Sequence, residues 1–395
     1  MNSTMLYILT IAFIAGWWIT AFKTTTSSSI SVIVPLNNLE TEKLIGYLSP
    51  IQREALKEAL AGNTRLMLQL INQWETDAEA LTVQGKQNID KLPSDKLLQA
   101  TVIGQLIRDS SPEELQRINN ELRSCCVTND CGHSICANKI SMKLLPQTDM
   151  TAGLLLALCD PEEIIALPSG IMNSPLYSNK KIANIQSCAS KLRSEQLYLL
   201  SPDIACLAYY THPSTKELYS NLSISTYTTK NLDSIHDIQN TLIKLGHLSN
   251  HPLEATLLSI FIDSALIAID NRITALSKTP ALKSTMYLYH HHHYMVPTNK
   301  CLSGQLMNRA VSKYQGLTCH IPDHDTHWRL PISQETILQS NPDCLLLASA
   351  TPIATEALKE TPVFILDEYV QDSPNQYIVL AYYDIFQALA AAHCL

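Results

Sequence analysis

Two short stretches hold side chains that could do chemistry. Residues 320–328 read HIPDHDTHW and bring His320, His324 and His327 together with Asp323 and Asp325; His290–His293 form a second imidazole run upstream. Imidazole and carboxylate together suit a transition metal or a haem iron, which makes His324 and His327 candidate metal ligands. A solvated, non-ligating histidine loop is the plainer alternative. If the first run continues a strand, alternate histidines face opposite ways and at most two share a face. The other stretch, CCVTNDCGHSIC at residues 125–136, places Cys125, Cys126, Cys131, His133 and Cys136 within twelve residues. Structural zinc would take four of them; one or two local disulfides, or free thiols, are the alternatives. In an exported protein, Cys125 or Cys126 pairs with Cys131 or Cys136 and His133 is a bystander. No G-x-S-x-G elbow and no H-E-x-x-H helix is present. An enzyme reading would rest on His324 or Glu335 as a base without an identifiable partner, so the chain reads as a binder rather than an enzyme.

The elements that must position these groups show up as a repeat. Residues 194–208 (SEQLYLLSPDIACLA) and 334–348 (QETILQSNPDCLLLA) share Glu195/Glu335, Pro202/Pro342, Asp203/Asp343, Leu207/Leu347 and Ala208/Ala348. Each copy predicts a short amphipathic helix stopped by proline. A strand without polar alternation follows, the mark of a parallel strand covered on both faces. Downstream, THPSTKELYSNL and SATPIATEALKE read as helices, ISTYTT and VFILDE as strands. The fold class is α/β: two α/β lobes with parallel sheets, joined by one long interlobe helix and preceded by a small helical module. Ligands of such sheets sit outside the carboxyl ends of the strands. In lobe 1, KISMKLLP and EEIIAL are strands around the helix TDMTAGLLLAL, and a helix runs from Asp233 (N-cap) to Gly246 (C′). PLEATLLSIFIDSALIAIDNRITAL is apolar on nearly all sides and predicts a buried helix. In lobe 2, HHHHYMVPTNKC and LTCHIPDHDTHWRLP read as loops, and an apolar helix over roughly 375–393 ends the chain.

A net charge of −8 and the lack of a basic run exclude a nucleic-acid surface. Met5–Phe22 is a continuous apolar run without charge, near the lower length limit for a membrane span. No Lys or Arg precedes it and no A-x-A site follows it. It reads as an export segment retained as an inner-membrane anchor, with the body in the periplasm or at the cell surface. Residues 35–124 are helical in pattern, with Ser49 and Ser111 opening helices in capping-box form; this module would space the body from the membrane or meet a partner. The expected division is an anchor and linker (1–34), a helical module with its Cys-rich linker (35–137), and a bilobed domain (138–395). Within the last, lobe 1 covers about 138–250, the interlobe helix 252–277 and lobe 2 280–395.

Residues 138–395 resemble the helical-backbone class of periplasmic substrate-binding proteins of ABC importers, which captures cobalamin, iron–siderophores and haem. KLLPQTDMTAGLLLALCDPEEIIAL looks like its opening strand–helix–strand, and the two repeated units look like its E-x-L-x-x-x-x-PD-x-V segments. LDSIHDIQNTLIKLGHLSNHPLEA resembles its lead into the interlobe helix. ETPVFILDEYVQDSPNQYIVLAYYDIFQALA resembles the end of the cobalamin-binding member most closely. The N-terminal anchor, helices and Cys-rich stretch depart from that pattern. The resemblance implies capture of a metal-bearing chelate, cobalamin, haem or ferric siderophore, with no required cofactor and with delivery to ABC permease subunits. It implies ligand contacts from the strand-end loops, with Tyr177, Tyr209 and Tyr210 on lobe 1 and Tyr294, Trp328 and Tyr369 on lobe 2. Flat aromatic faces suit a large planar ligand. It also implies one permease-docking glutamate per lobe, at Glu217 and Glu356. The competing expectation is a membrane-tethered interaction protein that keeps the fold and has lost transport.

Overall fold

A computed structural model describes residues 52–83, 89–124, 126–136, 142–177, 179–188, 192–277, 281–290, 292–324, 327–348, 361–371 and 373–393. The apolar run 5–22, the Ser49 cap, Cys125 and the segment 349–360 with Glu356 lie outside these residues. The chain opens with α1 (Arg53–Leu60), α2 (Thr64–Val83), α3 (Ser94–Asp109) and α4 (Pro112–Leu122), the last capped by Ser111, whose Oγ accepts the Glu114 N–H. A hairpin, β1 (Cys126–Thr128) and β2 (Ser134–Cys136), leads to the first lobe. That lobe comprises β3 (Leu144–Pro146), α5 (Asp149–Leu158), β4 (Ala166–Pro168), α6 (Ser169–Asn173), α7 (Asn179–Ile182) and β5 (Gln186–Cys188), then α8 (Ser194–Leu200), β6 (Ile204–Ala208), α9 (Pro213–Asn221) and β7 (Ser225–Thr229). Two helices follow, α10 (Ile235–Ser249) and α11 (Pro252–Leu276). The second lobe holds β8 (Ser284–His290), β9 (Tyr294–Pro297), α12 (Leu302–Lys313), β10 (Thr318–Cys319), β11 (Arg329–Pro331), α13 (Gln334–Ser340), β12 (Cys344–Ala348), β13 (Val363–Leu366), α14 (Glu368–Gln371) and α15 (Ile378–His393).

The lobe 1 strands are all parallel: β3–β6–β7 form one ladder, β4–β5 another, and a Leu144–Ile164 bridge sets β4 beside β3. Lobe 2 has the order β11–β9–β8–β12–β13, with β10 beside the start of β8. Its centre is parallel, but β9 and β11 run antiparallel. The repeated strands β6 and β12 are buried at every residue, as their unbroken apolar runs require. One face of each sheet joins a core shared with the helices. The other carries its own cluster, Leu145, Ala205, Leu207 and Tyr219 in lobe 1 and Met286, Leu288, Leu345 and Leu347 in lobe 2.

The Pro-Asp units have a shared structural purpose. Asp203 Oδ2 accepts the Lys143 N–H at 2.8 Å, and Asp343 Oδ2 accepts those of Lys283 at 2.7 Å and Ser284 at 2.8 Å. Each aspartate therefore holds the start of the neighbouring strand, β3 or β8. Ser201 (φ 45°) and Asn341 (φ 40°) end the preceding helices in the left-handed region at equivalent places.

Helix α11 has the predicted extent and is buried along most of its length. It packs on α10 of lobe 1, on α12 and α15 of lobe 2, and on α2, α3 and α4. It is long and apolar enough to cross a membrane, yet its apolar surface is covered by protein. Arg309 donates to Asp270 through Nε (3.0 Å) and Nη2 (2.7 Å), and the Tyr382 hydroxyl adds a bond of 2.6 Å, tying α12, α11 and α15. The N-terminal helices are fastened to the same core. Trp74 stacks on Phe261 at 5.7 Å, Lys96 pairs with Asp263, and Arg53 forms a bidentate pair with Asp384 at 2.8 and 3.0 Å.

Several local expectations change. HHHHYMVPTNKC is a hairpin, because Tyr294–Pro297 pairs back on β8 through Tyr289↔Met295 and His290↔Tyr294. LTCHIPDHDTHWRLP contains β10 and β11, strands too short to show a period in sequence. EEIIAL is a 3-10 turn (Pro161–Glu163) followed by β4, since Pro161 favours the turn. The helix read as Asp233–Gly246 is capped by Ser234 and ends at Asn250 (φ 65°). Gly246 lies inside it, where a Cβ would strike Ala255 of α11; it serves close helix packing rather than a stop. The C-terminal helix starts at Ile378, because Ser373–Tyr377 form turns that cross to lobe 1.

Cys126 and Cys136 face each other across the β1–β2 hairpin and form a disulfide, with Cα atoms 4.2 Å apart. Cys131 and His133 are exposed at the hairpin tip. Asp130 anchors that tip to lobe 1, pairing with Lys244 at 2.6 Å and accepting the Lys230 N–H at 2.8 Å. Cys159, Cys206 and Cys344 are buried free thiols.

Candidate functional site: an aromatic cleft between the lobes

Three cavities meet at Pro374 and together make a cleft between the lobes. One of about 710 Å³ is bounded by Asp149, Gly170, Tyr177 and, from lobe 2, Tyr369 and Asn375. One of about 780 Å³ lies over Asp149, Tyr209, Tyr210, His212 and Lys230. A third, about 530 Å³, runs between Asn231 and Asp233 on one side and Lys300, Cys301, His327, Trp328 and Arg329 on the other. The lobe 1 lining comes from segments following β3, β4, β6 and β7, the carboxyl ends of parallel strands, where this sheet type presents ligands.

The base of the cleft joins the lobes. The Tyr177 ring meets Tyr377 edge-on at 5.4 Å, and Asn375 Nδ2 donates to the Tyr177 hydroxyl at 3.1 Å. Gln376 Nε2 donates to the Gly153 carbonyl at 2.9 Å. Gly153 makes this possible, since a Cβ there would strike Tyr177 Oη and Asn375 Nδ2. Burial raises the Tyr177 phenol well above its usual range. Tyr177 is thus a buried part of the floor, whereas Tyr210 (71% exposed), Tyr369 (66%) and Trp328 (50%) stand open. Tyr209 and Tyr210 meet edge-to-face at 5.2 Å.

Tyr294 does not reach these cavities. It packs at the outer cluster of lobe 2 with Leu330 and Ile332, and its ring lies 4.9 Å from that of His290. His290 ends β8, His292 and His293 follow in the exposed turn, and none of them lines the three cavities; His291 lies outside the described residues. The rings of His324 and His327 are 4.8 Å apart, and the His327 N–H donates to His324 Nδ1 at 3.1 Å. A neutral His324 therefore carries its proton on Nε2. His327 borders the cleft; its carbonyl accepts from Thr298 Oγ1 at 2.6 Å, which pins the loop to the end of β9. Asp323 bonds Asn299, and Asp325 lies outside the described residues. Glu217 is exposed on α9.

The sequence reading missed the cleft's charges. Burial raises the Asp149 and Asp233 carboxyls above their usual range. Lys230 is raised by its bond to Asp237, and Arg329 lies 3.6 Å from the Tyr289 ring centroid. With Lys300, these cations border the cleft beside those carboxyls. They lie far apart in the chain, and only the fold gathers them.

The fold is that of bilobed periplasmic solute-binding proteins. A periplasmic solute-binding protein from Veillonella parvula superposes with a TM-score of 0.51 and 17% identity over 68% of this chain and 87% of its own. A possible iron-binding periplasmic protein from Staphylococcus epidermidis gives 0.50 and 14% over 63% and 99%. A periplasmic heme-binding protein from Pseudomonas aeruginosa gives 0.50 and 15% over 63% and 92%. No family model and no curated protein sequence matches the chain.

Proposed function

We propose that this protein captures a metal-bearing chelate in the cleft and passes it to an ABC permease without chemical turnover. The observation that carries this reading is the cleft itself, with exposed Tyr210, Tyr369 and Trp328 facing a space ringed by Lys230, Lys300 and Arg329. Aromatic faces take up a flat macrocycle, and cations at the rim take its acidic substituents. His327 borders the cleft with His324 beside it and would reach a metal in the cargo. The structural neighbours described as a heme-binding protein and a possible iron-binding protein make haem or an iron chelate, ahead of cobalamin, the first ligand to test. Glu217 would dock lobe 1 on the permease, with Glu356 as its lobe 2 counterpart. Residues 5–22 would hold the protein at the inner membrane, with the body in the periplasm. Lobe boundaries near residues 250 and 280 belong to the same proposal.

The test is equilibrium binding of ferric haem, cobalamin and a ferric siderophore to the full chain, followed by tryptophan quenching and ligand absorbance. Binding at micromolar Kd or tighter is expected for one of them, about −8 kcal/mol. Trp328→Ala should weaken it roughly tenfold, and His327→Ala should change the spectrum of an iron-bearing ligand. If none binds below about millimolar, capture is wrong, and the tethered interaction protein becomes the better reading.

A further inference from the structure

Away from the cleft, one cluster of donor groups has no place in ligand capture. Cys159 follows the last turn of α5, Glu163 ends the 3-10 turn after it, and His251 immediately precedes α11. One ligand atom from each lies within 4.8 Å of the others. His251 Nε2 is 2.8 Å from Glu163 Oε2, and His251 Nδ1 is 3.8 Å from Glu254 Oε2. The thiol is buried, and the three other side chains are 17% exposed.

We propose that Cys159, Glu163 and His251 form a zinc site, with a water as fourth donor and Glu254 behind the far ring nitrogen of His251, at the junction of lobe 1 with α11 and α4. A thiolate, an imidazole and a carboxylate are zinc's preferred donors, with bonds of about 2.3, 2.0 and 2.1 Å. The soft sulfur and the nitrogen select against magnesium and calcium. Tetrahedral bonds of those lengths put donors roughly 3.2–3.8 Å apart. The His251–Glu163 pair must open slightly and the widest pair must close by about 1 Å. The carboxylates are already oriented from behind: the Asp160 N–H donates to Glu163 Oε2 at 3.0 Å, and Asn119 Nδ2 reaches Glu254 at 3.2 and 3.4 Å. Such outer contacts fix ligand geometry at zinc centres. Binding releases the thiol proton, together with any proton on the imidazole, and leaves the metal bonded to the thiolate and a neutral ring.

Cobalt(II) replaces zinc in such sites and reports a sulfur ligand by thiolate-to-metal charge-transfer absorption. The chelator-stripped full chain should take up one equivalent of cobalt with that absorption, and zinc should displace it. Cys159→Ser, a near-isosteric change, should abolish the absorption while circular dichroism stays unchanged. His251→Gln should weaken binding at least tenfold, and Cys131→Ser, at the exposed thiol, should change neither. Absorption that is missing from the parent chain, or that persists in Cys159→Ser, overturns the assignment. If His251→Gln misfolds, the serine variant still decides.

Discussion

The bond between Arg53 and Asp384 tests whether the N-terminal helices are part of the body or an appendage. Asp384 sits in α15 with 7% of its side chain exposed, and both its oxygens take hydrogen bonds from Arg53, whose side chain is 31% exposed. Arg53→Ala strands a buried carboxylate. Losing one partner of a buried pair costs about 3–5 kcal/mol. The partly open guanidinium side admits water, so about 3 kcal/mol is the expected loss at pH 7. Burial already holds the Asp384 carboxyl above its usual range against the pull of Arg53, and without Arg53 it rises further. A carboxyl whose folded pKa is raised adds stability at low pH, and that stability is lost as pH rises through the folded pKa. The deficit of Arg53→Ala should therefore be largest at neutral pH and shrink as pH falls through the raised folded pKa toward ~4, the ordinary carboxylate value. Urea unfolding of parent and variant at both pH values, followed by tryptophan fluorescence, measures it. Replacing both residues by apolar ones should recover much of the loss. A deficit under about 1 kcal/mol at pH 7, or one that does not shrink in acid, would refute the reasoning.

Other consequences are as direct. Gly153→Ala should push Tyr177 and Asn375 apart at the cleft floor and cost about 1–3 kcal/mol, with weaker ligand binding as the second readout; unchanged stability and affinity would show the floor to be slack. Breaking the Cys126–Cys136 disulfide should cost roughly 2–3 kcal/mol by freeing the unfolded chain, and non-reducing peptide mapping should find that pair intact in the native protein. Scattering curves with and without bound ligand should nearly superimpose, because α11 is packed by both lobes and the N-terminal helices; a large fall in radius of gyration would contradict that.

What could be read in advance divides along physical lines. The repeat was legible because a proline stop and an unbroken apolar strand are local signals, and α11 because it is apolar on all sides. Its packing against α2, α3 and α4 was not: an amphipathic helix declares that one face is covered, not by what, so those helices read as a spacer. Strands β9, β10 and β11 are two to four residues long and exist through their pairing with β8 and each other. Tyr210, Trp328 and Tyr369 lie at strand ends and line the cleft, whereas Tyr294 opens β9, a strand too short to be told from a loop in sequence. Lys230, Lys300 and Arg329 carry no motif at all.

The paired clamps of Asp203 and Asp343 also divide each sheet into a sealed rim and an open one. At the amino ends, each carboxylate staples two neighbouring strands together through backbone N–H groups, so a change there unravels a strand start. At the lobe 1 carboxyl ends, by contrast, the strands run out into segments that line the cleft. Substitutions on that rim can re-shape what the protein accepts while the sheet beneath stays fastened from the other side. An attempt to retune cargo choice should confine its library to the open rim and leave both Pro-Asp pairs untouched.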